Sequence, residues 1–242
     1  MQFLTEQQLG NVLQRNFVLG EVPGVVWIPR SGPAPLVLIG HPGGLSTMHP
    51  RLLARAQHLA NDGFASAALE LPGCGERPRI AAADEARAEL RRAVRAGEPV
   101  GEDVLERLVL PLVDQAAPEW QHAVDVLLQL PGITGPVGYA GGLIALGVRL
   151  AVVEPRIEAA VLFAGSYVPR GMFAEAKTVA IPLQVLLQWD DEGNDRQLAL
   201  DLFDALGSGE KSLHANMGGH TGVPPFAVDD GARFFARHLQ AG

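Results

Sequence analysis

With 242 residues, 48% of them hydrophobic, the chain is long enough for one large α/β domain with a buried core. Its single cysteine, Cys74, excludes an intramolecular disulfide framework and any cysteine-cluster metal site. A net charge of −8 without a basic block argues against nucleic-acid binding.

Met1 to Glu6 lacks a basic stretch followed by an apolar one. No apolar run is long enough to span a bilayer, so a cytoplasmic protein with no membrane partner is expected. Phe17 to Leu19 and Val25 to Ile28, separated by Gly20-Glu21-Val22-Pro23-Gly24, predict an antiparallel hairpin. Leu36 to Ile39, between Pro35 and Gly40, reads as a buried parallel strand. Pro50 to Asn61 has helical spacing, with Leu52, Leu53, Ala56 and Leu59 on one face. Phe64 to Leu71 is the next strand.

Arg79 to Glu119 breaks the alternation. It is long, charged and helix-prone, with an interruption at Gly97-Glu98-Pro99. A helical insertion there would lie over the carboxyl ends of the strands, as a lid, or would be a surface excursion with solvated faces. Helices follow at Trp120 to Leu130 and Leu143 to Val153, with the strand Pro136 to Ala140 between them. Strands at Ile157 to Phe163 and Leu183 to Trp189 come next. A helix at Arg196 to Leu206, a short strand at Ser212 to Ala215 and a helix at Phe226 to Leu239 close the chain. Such alternation predicts a mainly parallel sheet with helices on both faces.

Gly138-Tyr139-Ala140-Gly141-Gly142 has every part of a nucleophile elbow, G-x-S-x-G, except the serine. It stands between a strand-like run and a helix-like one. The central residue of such a turn is expected at positive φ, with small neighbours where helix and strand come close. Ala140 therefore marks the nucleophile position, occupied by a methyl. A serine replaced by alanine would leave the backbone intact. A natural loss would give a non-hydrolytic relative. An ordinary glycine-rich turn is the plainest alternative. No metal motif, phosphate loop or dinucleotide fingerprint is present, so no metal or cofactor is expected.

From Gly24 to Leu239 the chain resembles the α/β-hydrolase family, and within it the small dienelactone-hydrolase-like members. Besides the elbow, four segments carry the resemblance. Gly40-His41-Pro42-Gly43-Gly44 is similar to the family's oxyanion loop, with Pro42 where glycine is usual. Glu70-Leu71-Pro72-Gly73-Cys74-Gly75-Glu76-Arg77 is similar to its pocket-shaping segment. Trp189-Asp190-Asp191-Glu192 lies where the family places its acid, and His214 to Thr221 where it places its histidine.

The resemblance implies a single α/β-hydrolase domain over residues 1–242, with a small helical lid at 79–119. It also implies a serine-type acyl hydrolase of a small or medium ester, lactone or thioester. His220 would be the base and then the acid, and Asp191, with Asp190 as runner-up, would orient it. Backbone N–H groups of Gly43 and Gly141 would hold the oxyanion. Leu105, Leu108, Leu110 and Leu112 would cover an apolar pocket or pack in the core. His41 is expected to be structural, Cys74 a packed thiol rather than a nucleophile, and Asp195 a helix cap. A pseudoenzyme that binds a ligand, or a lyase using His220 alone, remains open on the same residues.

Overall fold

The computed structural model describes residues 1–240. Nine strands form one sheet in the order β1-β2-β3-β5-β4-β6-β7-β8-β9. Three antiparallel strands open it: β1 (Gln2–Leu9), β2 (Val12–Leu19) and β3 (Val22–Pro29). β1 was not legible in the sequence. It is polar, solvent-exposed along its length, and paired only with β2, so it lacks the alternation that marks a half-buried strand. The hairpin β2–β3 is tighter than its spacing suggested. Leu19 pairs with Val22, and Gly20 takes φ 62° in the turn.

β3 pairs antiparallel with β5 (Ala65–Leu69). From there the sheet is parallel through β4 (Ala34–Gly40), β6 (Ile133–Gly141), β7 (Ile157–Phe163), β8 (Leu183–Gln188) and β9 (Lys211–Asn216). One face is covered by α1 (Leu45–Asn61) and α7 (Pro225–Leu239), packed on Val37, Ile39, Ala140 and Val161. The other carries α2 (Ala81–Ala96), α3 (Glu102–Leu127), α4 (Ile144–Val153), the single-turn α5 (Phe173–Ala176) and α6 (Arg196–Ala205). Burial on both faces explains why the central strands are continuous apolar runs rather than alternating ones.

The segment 79–119 takes a different form from the one expected. α2 ends at Gly97, in the left-handed conformation (φ 68°), as the Gly-Glu-Pro break suggested. The second half is no separate lid helix. α3 runs unbroken for 26 residues, through Pro111 and Pro118, and absorbs the helix expected to begin at Trp120. Internal prolines remove backbone hydrogen bonds, but α3 buries Leu105, Val109, Leu112, Val113 and Trp120, and that burial prevails. Leu105 and Leu112 are core residues, and Leu108 and Leu110 pack partly buried against the sheet's core.

The glycines around Tyr139 are explained by packing. The buried ring is wedged between Gly40 and Gly147. A Cβ on Gly40 would lie 2.0 Å from the phenol oxygen, and one on Gly147 would lie 2.6 Å from the ring. The hydroxyl donates to the Leu143 carbonyl at 2.8 Å, tying β6 to the start of α4. Gly138 serves α7 in the same way. A Cβ there would meet Leu239 and Phe235, each at 2.8 Å.

Candidate active site

The carboxyl ends of β6, β7 and β8 and the loops after them enclose a cavity of about 140 Å³. Pro42, Gly142, Phe163, Ser166, Gln188 and His220 are among its lining residues. This edge of an open parallel sheet is where such folds place ligands.

His220 stands at the mouth on the glycine-rich loop after β9, its side chain 59% exposed. Its Nδ1 lies 2.7 Å from Oδ2 of Asp191, whose side chain is almost wholly buried at the end of β8. The other Asp191 oxygen accepts the Gly193 N–H at 2.9 Å, fixing the carboxylate. With Nδ1 engaged by the carboxylate, Nε2 is the nitrogen left for chemistry. Gly165 lets the imidazole approach β7. A Cβ there would be 3.3 Å from His220 Cε1.

Asp190 does a different job. Its carboxylate accepts the N–H groups of Gly218 (2.9 and 3.1 Å) and Gly219 (2.9 Å), shaping the loop that carries His220. The hydrogen bond from Gly219, aided by that from Gly218, holds this carboxyl below its ordinary pKa. Gln188 braces the same loop, donating from Nε2 to the Gly219 carbonyl at 2.9 Å.

Residue 140 is not at the turn. Ala140 is a fully buried strand residue, paired with Ile39 and Val161 and packed in the core under α1 and α7. Among the described residues no non-glycine residue has positive φ, so the strained turn expected there is absent. Gly141 also continues β6. It pairs with Gly40 and Leu162, and a Cβ on it would lie 2.2 Å from the Gly40 carbonyl oxygen. The chain leaves the strand at Gly142, which lines the cavity where a side chain would meet no atom within 4 Å. The motif's glycines at 138 and 141 answer to packing, and β6 extends to 141.

Among backbone donors, Gly43 lies in the loop between Pro42 and α1. Glu70 is buried behind this loop, and its Oε1 accepts the Leu45 N–H at 3.0 Å. Gly75 packs against the same carboxylate, where a Cβ would be 2.4 Å from Oε2. Opposite, Leu143 precedes α4, whose first N–H groups lack intrahelical partners. Ile144 N–H reaches Ser166 Oγ at 3.4 Å. Ser166 thus links the cavity wall to the positive end of α4.

The remaining candidates fall away from the cavity. His41 is buried, with Nε2 2.8 Å from the Leu69 carbonyl, and burial pulls its pKa down. Burial, then Glu70, pushes the Cys74 thiol up, away from thiolate reactivity. His214 lies on β9 against Gln184, and Asp195 caps α6 through the Leu198 N–H at 3.0 Å. None of Leu105, Leu108, Leu110 and Leu112 lines the cavity. Ser166, Gln188 and Phe163 were not singled out in the sequence, and Gly142 only as the last glycine of the motif. Arg55 of α1 stacks 4.2 Å from the Phe163 ring. Among the described residues no group of three or more histidine, cysteine or acidic side chains could hold a metal. No helix there is long and apolar enough to cross a membrane.

No protein-family model and no curated protein matches the chain. Solved structures do. The PEG-bound form of a cold-adapted esterase from an Arctic intertidal metagenomic library matches with TM-score 0.77 at 28% identity, over 99% of this chain and 100% of that one. The native form of the same esterase gives TM-score 0.74 at 25% identity, with the same coverage. The acetyl xylan esterase from Paenibacillus sp. R4 shares the fold at TM-score 0.67 and 15% identity, over 98% of this chain and 87% of that one. Together with the sheet order, these similarities identify an α/β-hydrolase fold.

Proposed function

We propose that this chain hydrolyses small or medium carboxylic esters, with lactones and thioesters in the same chemical class. His220 is the general base and then the acid, and Asp191 sets its tautomer and stabilises the imidazolium. The N–H of Gly43 and that of Leu143, at the start of α4, hold the developing oxyanion. Leu143 replaces Gly141 in this role because the chain turns at residue 142. The loss of one such donor typically costs ~3–4 kcal/mol of transition-state stabilisation.

The observation that carries this reading is the His220–Asp191 pair, 2.7 Å apart and beside a cavity at the sheet's carboxyl edge. The esterase with 25–28% identity over the whole chain supports it. A serine-type mechanism through residue 140 does not belong to this reading, because that side chain is enclosed in the core.

A second reading is favoured by one observation: residues 140–142 carry no hydroxyl. On that reading the pocket binds an ester-like ligand without turning it over. A panel of nitrophenyl esters of increasing acyl length separates the two. Turnover that falls by roughly 10²–10⁴-fold in His220→Ala supports hydrolysis. Saturable binding by a wild-type protein that turns over no ester supports the second reading instead.

A further inference from the structure

We propose that the nucleophile in this pocket is a water molecule taken up over Gly142 and activated by His220, so that hydrolysis proceeds by one direct attack with no acyl-enzyme. The inference rests on the ester-hydrolase reading above and supplies the nucleophile that reading lacks.

Two independent observations meet at this point. The first is steric. Gly142 stands at the end of β6, lines the cavity beside His220, and has open space where a side chain would project. A water needs about 30 Å³ of liquid volume, so a cavity of about 140 Å³ takes one together with a small acyl group. The second is polar. His220 lines the same cavity with its Nδ1 held by Asp191, which leaves Nε2 as the acceptor for a proton of a water there.

The step balances with no further reactant. His220 Nε2 takes one proton as the water oxygen bonds to the carbonyl carbon, and the carbonyl π pair moves onto oxygen. Collapse of that oxyanion re-forms the carbonyl and breaks the ester C–O bond. The leaving alkoxide takes the proton from the imidazolium, giving acid and alcohol. Ser166 is the rival. Its hydroxyl is the one alcohol among the lining side chains, and it is turned to the start of α4, where it accepts the Ile144 N–H.

The full-length protein is incubated with nitrophenyl acetate, followed through the first turnover, quenched and weighed intact. The same is done after exposure to a fluorophosphonate. Water attack gives linear product release without a burst, no acetyl adduct, and no fluorophosphonate label on the wild type. Gly142→Ser then places a hydroxyl in the water's seat and gains both adducts at residue 142, whereas Ala140→Ser gains neither. An acetyl adduct on Ser166 of the wild type overturns the proposal while leaving ester hydrolysis standing. A folded Gly142→Ser that takes no label overturns the assignment of the seat. A wild type that turns over no ester, beside a labelled Gly142→Ser, overturns water attack and the hydrolase reading together.

Discussion

Asp190 and Asp191 are neighbours in sequence with unlike tasks. Asp191 is buried and bonded to the imidazole, whereas Asp190 is exposed and bonded to two backbone N–H groups. Replacing Asp191 with asparagine keeps the shape but removes the charge that stabilises the imidazolium. Ester turnover by Asp191→Asn is expected to fall by roughly 10²–10⁴-fold. Asp190→Asn should lose less than a tenth of that factor. Equal losses in the two variants, measured as kcat/KM, would remove the distinction. At this scale the pairing of Asp191 with His220 was legible, since each follows a strand in a loop rich in acid or glycine. The point where the chain leaves β6 was not, because a glycine looks the same whether it accommodates a turn, a helix or a ring. Only contacts tell that Gly138 yields to Phe235 and Leu239 while Gly142 yields to nothing. Gln188 was hidden for a related reason: it reads as one polar residue in a strand until its Oε1 is found buried without a partner.

Among elements, the loop from β9 to His220 hangs on the Asp190 carboxylate. Its backbone hydrogen bonds depress the folded pKa below the ordinary 3.8. The stabilisation they contribute is therefore complete above that value and is lost as pH falls through the lower, folded one. Protection factors of the Gly218 and Gly219 amides should hold down to about pH 4 and fall below it. In Asp190→Ala they should be low at every pH. A wild type already unprotected at pH 6 would refute the tie. The elements themselves were legible in proportion to their burial. β7 carries the bounds read from its apolar run, because both its faces are covered. β1 was invisible because neither face is covered. α3 was cut in two because its prolines argue for breaks that its buried face overrides.

For the molecule as a whole, His41 sets a pH dependence near neutrality. It is neutral and buried, and burial lowers its pKa below 6.5. The unfolded chain takes up a proton there before the folded one does. Stability contributed by the neutral ring is thus whole above about pH 6.5 and declines as pH falls below it. Urea unfolding between pH 5 and 7.5 should show this slope, and His41→Gln should flatten it even where it lowers the plateau. An unchanged slope in the variant would assign the dependence elsewhere.

The Tyr139 wedge reaches further than its own contacts. The phenol fills notches that only hydrogen can leave open at residues 40 and 147, and its hydroxyl holds the last carbonyl before α4. Positions 40, 139 and 147 are therefore coupled: a side chain larger than hydrogen at 40 or 147 requires a smaller one at 139.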